Sequence, residues 1–147
     1  MLKHRVICCF TFNDGVLTRT KRFQPDYIYT SSFLGSEHID EVLLLDVTRG
    51  GPGAAASTPF AAAADRYVSN CFVPITMGGG IRNADDAKTL VDLGADKIVV
   101  GTGLWVAPNG KMIRGLAEQI VKKWGSQFLV GAVDYDEDFP DGRQPRR

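Results

Sequence analysis

The sequence predicts an α/β fold built on a parallel sheet, and three observations carry that prediction. Five short, near-continuous apolar runs recur along 147 residues. Helix-like segments separate them, and glycine-rich turns follow the third and fourth runs. Runs rich in Val, Ile and Leu are what strands covered on both faces look like, and alternation with helices builds repeated βαβ units. Each such crossover is right-handed by strong precedent. An open doubly wound sheet and part of a (β/α)8 barrel both satisfy this pattern.

The elements follow in order. Arg5 to Phe12 (RVICCFTF) is the first expected strand, and a helix is expected over roughly Thr30 to Ser36. Glu41 to Val47 (EVLLLDV) is the second strand. The small-residue segment Gly50 to Ser57 reads as a mobile connector or a lid over a site. A helix over Thr58 to Asn70 leads to the third strand, Phe72 to Met77. From Ala84 to Leu93, the residues Ala87, Leu90 and Val91 recur at helical spacing, with Asp85, Asp86, Lys88 and Asp92 opposite. Lys97 to Gly101 (KIVVG) is the fourth strand, Asn109 to Trp124 the next helix, and Gln127 to Asp134 (QFLVGAVD) the fifth strand. Residues 1–135 therefore read as one domain, and the polar stretch 136–147, with two prolines, as a fraying tail.

Composition removes several function classes. With 44% apolar and 23% charged residues the chain can bury a real core. Lys plus Arg and Asp plus Glu are both 17, so no general basic field points to nucleic acid. The apolar runs fall far below the roughly 20 residues needed to cross a bilayer, so no membrane span is expected. The start MLKHRVICCF meets polar Thr11, Asn13 and Asp14 too soon for a secretory signal, which makes a cytoplasmic protein the expectation. Cys8, Cys9 and Cys71 suit neither a bridge nor a CxxC site and read as reduced, partly buried thiols. His4 and His38 have no ligand partner at metal spacing, so neither a metal site nor a cofactor is expected.

In either α/β architecture, ligands lie at the carboxyl ends of the parallel strands. That rule selects Thr11, Asn13 and Asp14, then Asp46 and Thr48, then Gly78 to Gly80, then Gly101 to Gly103, then Asp134 and Asp136. The triple glycine lacks both the Lys-Ser/Thr of a Walker A loop and the GxGxxG spacing of a dinucleotide fold. Glycine offers exposed backbone N–H groups and a close approach to an anion. Gly79 and Gly80, with Gly101 and Thr102 after the next strand, are expected to grip one phosphate between them, helped by a helix N-terminus. Asp46 and Asp134 end otherwise apolar runs, where an aspartate needs a partner or a function.

Read together, MLKHRVICCFTFNDGVLTRT, EVLLLDVT, VPITMGGGIRNADDAKTLVDLGADKIVVGT and GSQFLVGAVD resemble the N-terminal half of the cyclase subunit of imidazole glycerol phosphate synthase. The resemblance implies a (β/α)8 barrel that takes ammonia from a partner glutaminase. It cleaves and cyclises a ribulosyl bisphosphate to imidazole glycerol phosphate and an aminoimidazole carboxamide ribotide, a lyase reaction joining histidine and purine biosynthesis. It places Gly80 and Thr102 on a substrate phosphate, with Gly101 where the family usually has asparagine. Asp134 matches the second catalytic aspartate, but the first falls on Thr11, whose hydroxyl cannot serve as a carboxylate acid or base near neutral pH. The family's following lysine falls on Arg19, which keeps the charge and does not readily give up its proton. Arg5, Glu41 and Lys97 match the charged ring at the barrel floor through which ammonia passes.

A complete barrel needs about 250 residues. The fold expected here is therefore a (βα)4-type half of a TIM barrel plus a fifth strand, completed by self-association that covers its open edges and inner face. Ten strands overfill an eight-stranded closure, so in a homodimer the fifth strand is expected to be displaced, swapped or left outside. A phosphorylated small molecule is the expected ligand. A cyclase of weak or no activity and a non-catalytic phosphate-binding half-barrel are the two functional expectations.

Overall fold

A computed structural model of the chain describes residues 4–21, 24–28, 39–105 and 114–133. Seven strands form one sheet: β1 (Ile7–Asn13), β2 (Val16–Lys21), β3 (Gln24–Ile28), β4 (Glu41–Asp46), β5 (Ile75–Gly78), β6 (Lys97–Val100) and β7 (Leu129–Gly131). The helices are α1 (Thr58–Val68), α2 (Ala84–Asp92), the single turn α3 (Thr102–Trp105) and α4 (Arg114–Trp124). Short 3-10 turns at Ala54–Ala56 and Ser126–Phe128 precede α1 and β7.

The spatial order is β3-β2-β1-β4-β5-β6-β7, with β1, β4, β5, β6 and β7 parallel. Each parallel strand lies beside its predecessor and always on the same side. A doubly wound sheet reverses direction at a switch point, and this one does not. Right-handed crossovers that step one way put every helix on one face, which is the winding of a (β/α)8 barrel. Of the two architectures the sequence allows, strand order selects the barrel type.

Burial agrees with that winding. Val42, Leu44, Ile75, Met77, Ile98 and Val100 share one buried core with Phe60, Ala63, Ala64 and Tyr67 of α1, Ala87 and Leu90 of α2, and Leu116 and Ile120 of α4. Phe12 of β1 meets Phe60 edge-on at 5.9 Å and Tyr67 at 5.8 Å. The alternate residues Ile7, Cys9, Thr11, Leu43, Leu45, Thr76, Gly78, Lys97, Val99 and Val130 form the other face by pleat and register. This face is only partly covered: Ile7 is 52% and Val130 39% exposed, Leu43 and Leu45 are half-buried, and Thr76 and Val99 in mid-sheet are buried.

Several boundaries move. The first strand runs to Asn13, so Thr11 lies inside a strand rather than after it. The chain then turns back as β2, which the apolar-run pattern does not reveal because Thr18, Arg19, Thr20 and Lys21 are polar. Asp14 (φ 48°) and Gly15 (φ 73°) make the two-residue turn, the left-handed pair that Asp-Gly favours. A Cβ on Gly15 would sit 2.5 Å from the Pro59 carbonyl oxygen, so the turn also needs glycine to lie on the start of α1. The fifth strand begins at Leu129, because Ser126–Phe128 is a 3-10 turn. The expected helix over 30–36, the first residues of the 109–124 helix, and the tail lie outside the described residues. Cys8, Cys9 and Cys71 are free thiols, and Cys9 is exposed rather than partly buried. None of the described helices is long and apolar enough to cross a membrane.

Candidate functional site

The carboxyl ends of the parallel strands bring together most of the residues selected from the sequence. Asp46 ends β4 and is buried; its Oδ1 accepts from the Thr48 backbone N–H at 3.0 Å and from the Thr48 hydroxyl at 2.6 Å. The Thr48 Oγ1 accepts in turn from the Asp14 N–H at 2.9 Å, tying the β1–β2 turn to the loop after β4. The Asp46 Oδ2 has no partner among the described residues.

The loop after β5 is held by packing at all three glycines. A Cβ on Gly78 would strike Val99, one on Gly79 (φ 118°) would strike the Asp46 carbonyl oxygen, and one on Gly80 would lie 2.8 Å from the Gly53 Cα. Within the Gly50 to Ser57 segment, expected to be a mobile connector or a lid, Gly53 and Ala54 pack against this loop, while Gly50 stands in open space. Ala54 is fully buried and its N–H donates to the Gly79 carbonyl at 2.9 Å. Local sequence shows small residues and suggests freedom; the close approach of two backbones is why they are small.

The second glycine segment stands next to the first. A Cβ on Gly103 would sit 2.5 Å from the Ile81 carbonyl oxygen, so the turn into α3 packs directly against the end of the triple-glycine loop. Thr102 is exposed at the start of α3 and Gly101 is half-buried. One helix N-terminus that could help, that of α2, already carries its own cap. The start of α2 is a capping box: Asn83 Oδ1 accepts from the Asp86 N–H at 2.8 Å, and Asp86 Oδ2 accepts from the N–H groups of Arg82 and Asn83 at 2.8 and 3.3 Å. With Asp85 and Asp86 in that turn, α2 presents carboxylates where an anion would want free donors.

Thr11 and Arg19 are not brought onto one face. Thr11 pairs with Thr18 across the hairpin, and alternation turns the next residue, Arg19, to the opposite side, where it is exposed. The Thr11 hydroxyl donates to the Thr18 carbonyl at 2.5 Å. Asp134 lies outside the described residues.

At the amino ends of the strands, about 17 Å away along β4, a second cluster forms. Glu41 is 4% exposed, and its Oε2 meets Lys97 Nζ at 2.7 Å and Arg5 Nη2 at 3.1 Å. Its Oε1 accepts from the Thr76 hydroxyl at 2.5 Å. Burial by itself would raise this carboxyl. Hydrogen bonds from Lys97 and Thr76, and the charges of Lys97 and Arg5, outweigh it and hold Glu41 below its ordinary value of 4.5. The resemblance selects Arg5, Glu41 and Lys97, and the fold brings all three together. Thr76 is missed, although as the one polar residue within ITM, one strand from Glu41, it is the residue alternation turns to the same face.

A one-way parallel sheet with glycine loops at its carboxyl ends and an ion cluster around a buried glutamate at its amino ends defines a protein of the (β/α)-barrel class. Within it, the chain belongs to the histidine biosynthesis protein family, whose model matches residues 8–144. It is 32% identical to a putative imidazole glycerol phosphate synthase subunit hisF2 of Parasynechococcus marenigrum, over 96% of this chain and 52% of that protein. It is 31% identical to an imidazole glycerol phosphate synthase subunit HisF of Mycobacteroides abscessus (88% and 49%), and 32% to that of Acidobacterium capsulatum (91% and 51%). The chain is thus cyclase-like in sequence, and it spans about half the length of the relatives it matches.

Proposed function

We propose that this chain is a cyclase-type half-barrel that binds the phosphorylated end of a sugar-phosphate ligand and has little or no turnover of its own. The observation that carries this reading is the engagement of Thr11. The position where the resemblance expects a carboxylate holds a hydroxyl already donated to a backbone carbonyl. A threonine so held supplies neither a general acid nor a general base.

Phosphate binding falls to the backbone donors of Gly79, Gly80 and Gly101 and to the Thr102 hydroxyl, since the α2 terminus is self-capped. The abutting of Gly103 on Ile81, which puts the two loops side by side, supports one shared grip. By the resemblance, Asp134 is the second catalytic aspartate and Arg19 keeps the charge of the expected lysine. Arg5, Glu41 and Lys97 form the floor, the ammonia gate if a glutaminase partner delivers ammonia there. The working compartment is the cytoplasm. A second copy of this chain covers the open face, with Ile7, Leu43, Leu45 and Val130 in the contact.

Turnover of the ribulosyl bisphosphate with ammonium, measured beside calorimetric binding of inorganic phosphate, tests the reading. Phosphate binding without turnover is expected. Turnover by the wild-type chain would overturn the non-catalytic part, and failure to bind phosphate would overturn the grip. Turnover gained in Thr11→Asp would show that only this carboxylate is missing and restore the cyclase reading.

A further inference from the structure

The ion cluster at the amino end of the sheet contains a residue that the charged-ring reading leaves out. Glu41 has two carboxylate oxygens, and both are occupied from different strands. Oε2 is taken by Lys97 of β6 and by Arg5 ahead of β1, while Oε1 is taken by Thr76 of β5. Lys97 and Arg5 are long side chains, 26% and 48% exposed, able to follow a moving carboxylate. Thr76 is not. It is 3% exposed, sits in mid-sheet in register with Leu43 and Lys97, and only one rotatable torsion separates its hydroxyl from the backbone.

We propose that Thr76 is the positioning residue of the floor: its hydroxyl fixes Glu41 Oε1 against the centre of the sheet, so that the carboxylate is locked between β4 and β6 rather than free to swing. The proposal deepens the gate reading of Arg5, Glu41 and Lys97 and rests on it for its functional meaning. Other charges near this end are otherwise engaged. Asp40 Oδ2 accepts from the Val6 N–H at 2.7 Å, and Asp96 Oδ2 accepts from the Ile75 N–H at 2.8 Å. Both carboxylates clamp strand starts. Among the described residues, Arg5, Lys97 and Thr76 are thus the groups that bear on Glu41. The depressed acidity of Glu41 agrees, since a donor aimed at the ionised oxygen favours the charged form.

Carbon-detected NMR titration of the Glu41 side-chain carboxyl in the full chain tests this without any catalysis. In Thr76→Val, which keeps the shape and removes the donor, the Glu41 midpoint should rise by about one pH unit. In Thr76→Ser, which restores a hydroxyl, it should return towards the wild-type value. A merely structural threonine would be replaced by valine with no movement of the midpoint, and that result overturns the proposal, as does a shift that serine fails to reverse. The gate reading fails separately: if no glutaminase binds the full chain at this end in a pull-down or sedimentation assay, the gate is removed and Thr76 is left positioning a purely structural carboxylate.

Discussion

Thr11 and Thr18 face each other across the β1–β2 hairpin, and each hydroxyl is committed to the other's backbone. Thr11 Oγ1 donates to the Thr18 carbonyl, and Thr18 Oγ1 donates to the Thr11 carbonyl at 3.4 Å. The pair closes the hairpin at the position where the family resemblance expects a reactive carboxylate. Thr11→Asp therefore does two things at once. It supplies an acid, and it aims acceptors at a carbonyl that has lost its donor. We expect Thr11→Asp to be destabilised by about 1–3 kcal/mol relative to wild type, read as a lower urea midpoint at constant m-value. An unchanged midpoint would mean that the hairpin bond contributes nothing in solution.

Gly79 stands at φ 118° with the Asp46 carbonyl where a Cβ would go. Gly79→Ala combines a strained backbone with a backbone clash that no rotamer relieves. A loss of more than about 2 kcal/mol is expected, together with loss of phosphate affinity, because the loop must move to admit the methyl group. Urea unfolding and calorimetry on the same variant check both effects. Full stability with full affinity would show that the loop adopts another conformation.

Acid should weaken the fold through Glu41. Its folded-state pKa is lowered, so its contribution is fully present above the ordinary value of 4.5 and is lost as pH falls through the lower folded value. Stability measured by urea unfolding should thus decline below about pH 4.5, and Glu41→Gln should flatten that part of the profile. At neutral pH the same substitution should cost about 1–3 kcal/mol, since it leaves Lys97 and Arg5 without their counter-ion. An acid limb of the same slope in the variant would place the titration elsewhere.

Thr48 is the middle of the relay from Asp46 to the Asp14 amide. Thr48→Val breaks both side-chain links while keeping the volume, and should cost about 1–2 kcal/mol. Hydrogen exchange should show the effect at the Asp14 amide and along β2 first, with β5 and β6 unchanged. Uniform loss of protection across the sheet would contradict a local latch.

The partly covered sheet face gives an association test. Val130→Lys puts a charge on that face without touching the helix-side core. If a second copy covers the face, sedimentation should show a dimer for the wild type at micromolar concentration and a shift to monomer for the variant. A monomeric wild-type chain would remove the self-association proposal.

The sequence by itself determined the parallel strands and their approximate limits, because apolar runs such as EVLLLD and KIVV report burial directly. The resemblance of its motifs also singled out Arg5, Glu41 and Lys97, which the fold places at and just ahead of the strand starts. The β1–β2 hairpin was written there too, in Asn13-Asp14-Gly15, a turn signal masked by the polarity of the strand that follows. Tertiary structure alone decided the rest. One-way strand order, and with it the barrel-type winding, is a relation between strands that no local run encodes. Glycines 78 to 80 are indistinguishable in sequence from an open anion loop. Only the approach of Val99, Asp46 and Gly53 shows that each glycine is there because another part of the chain occupies the space of its side chain. The same holds for Thr76, an ordinary strand threonine until register places it against Glu41.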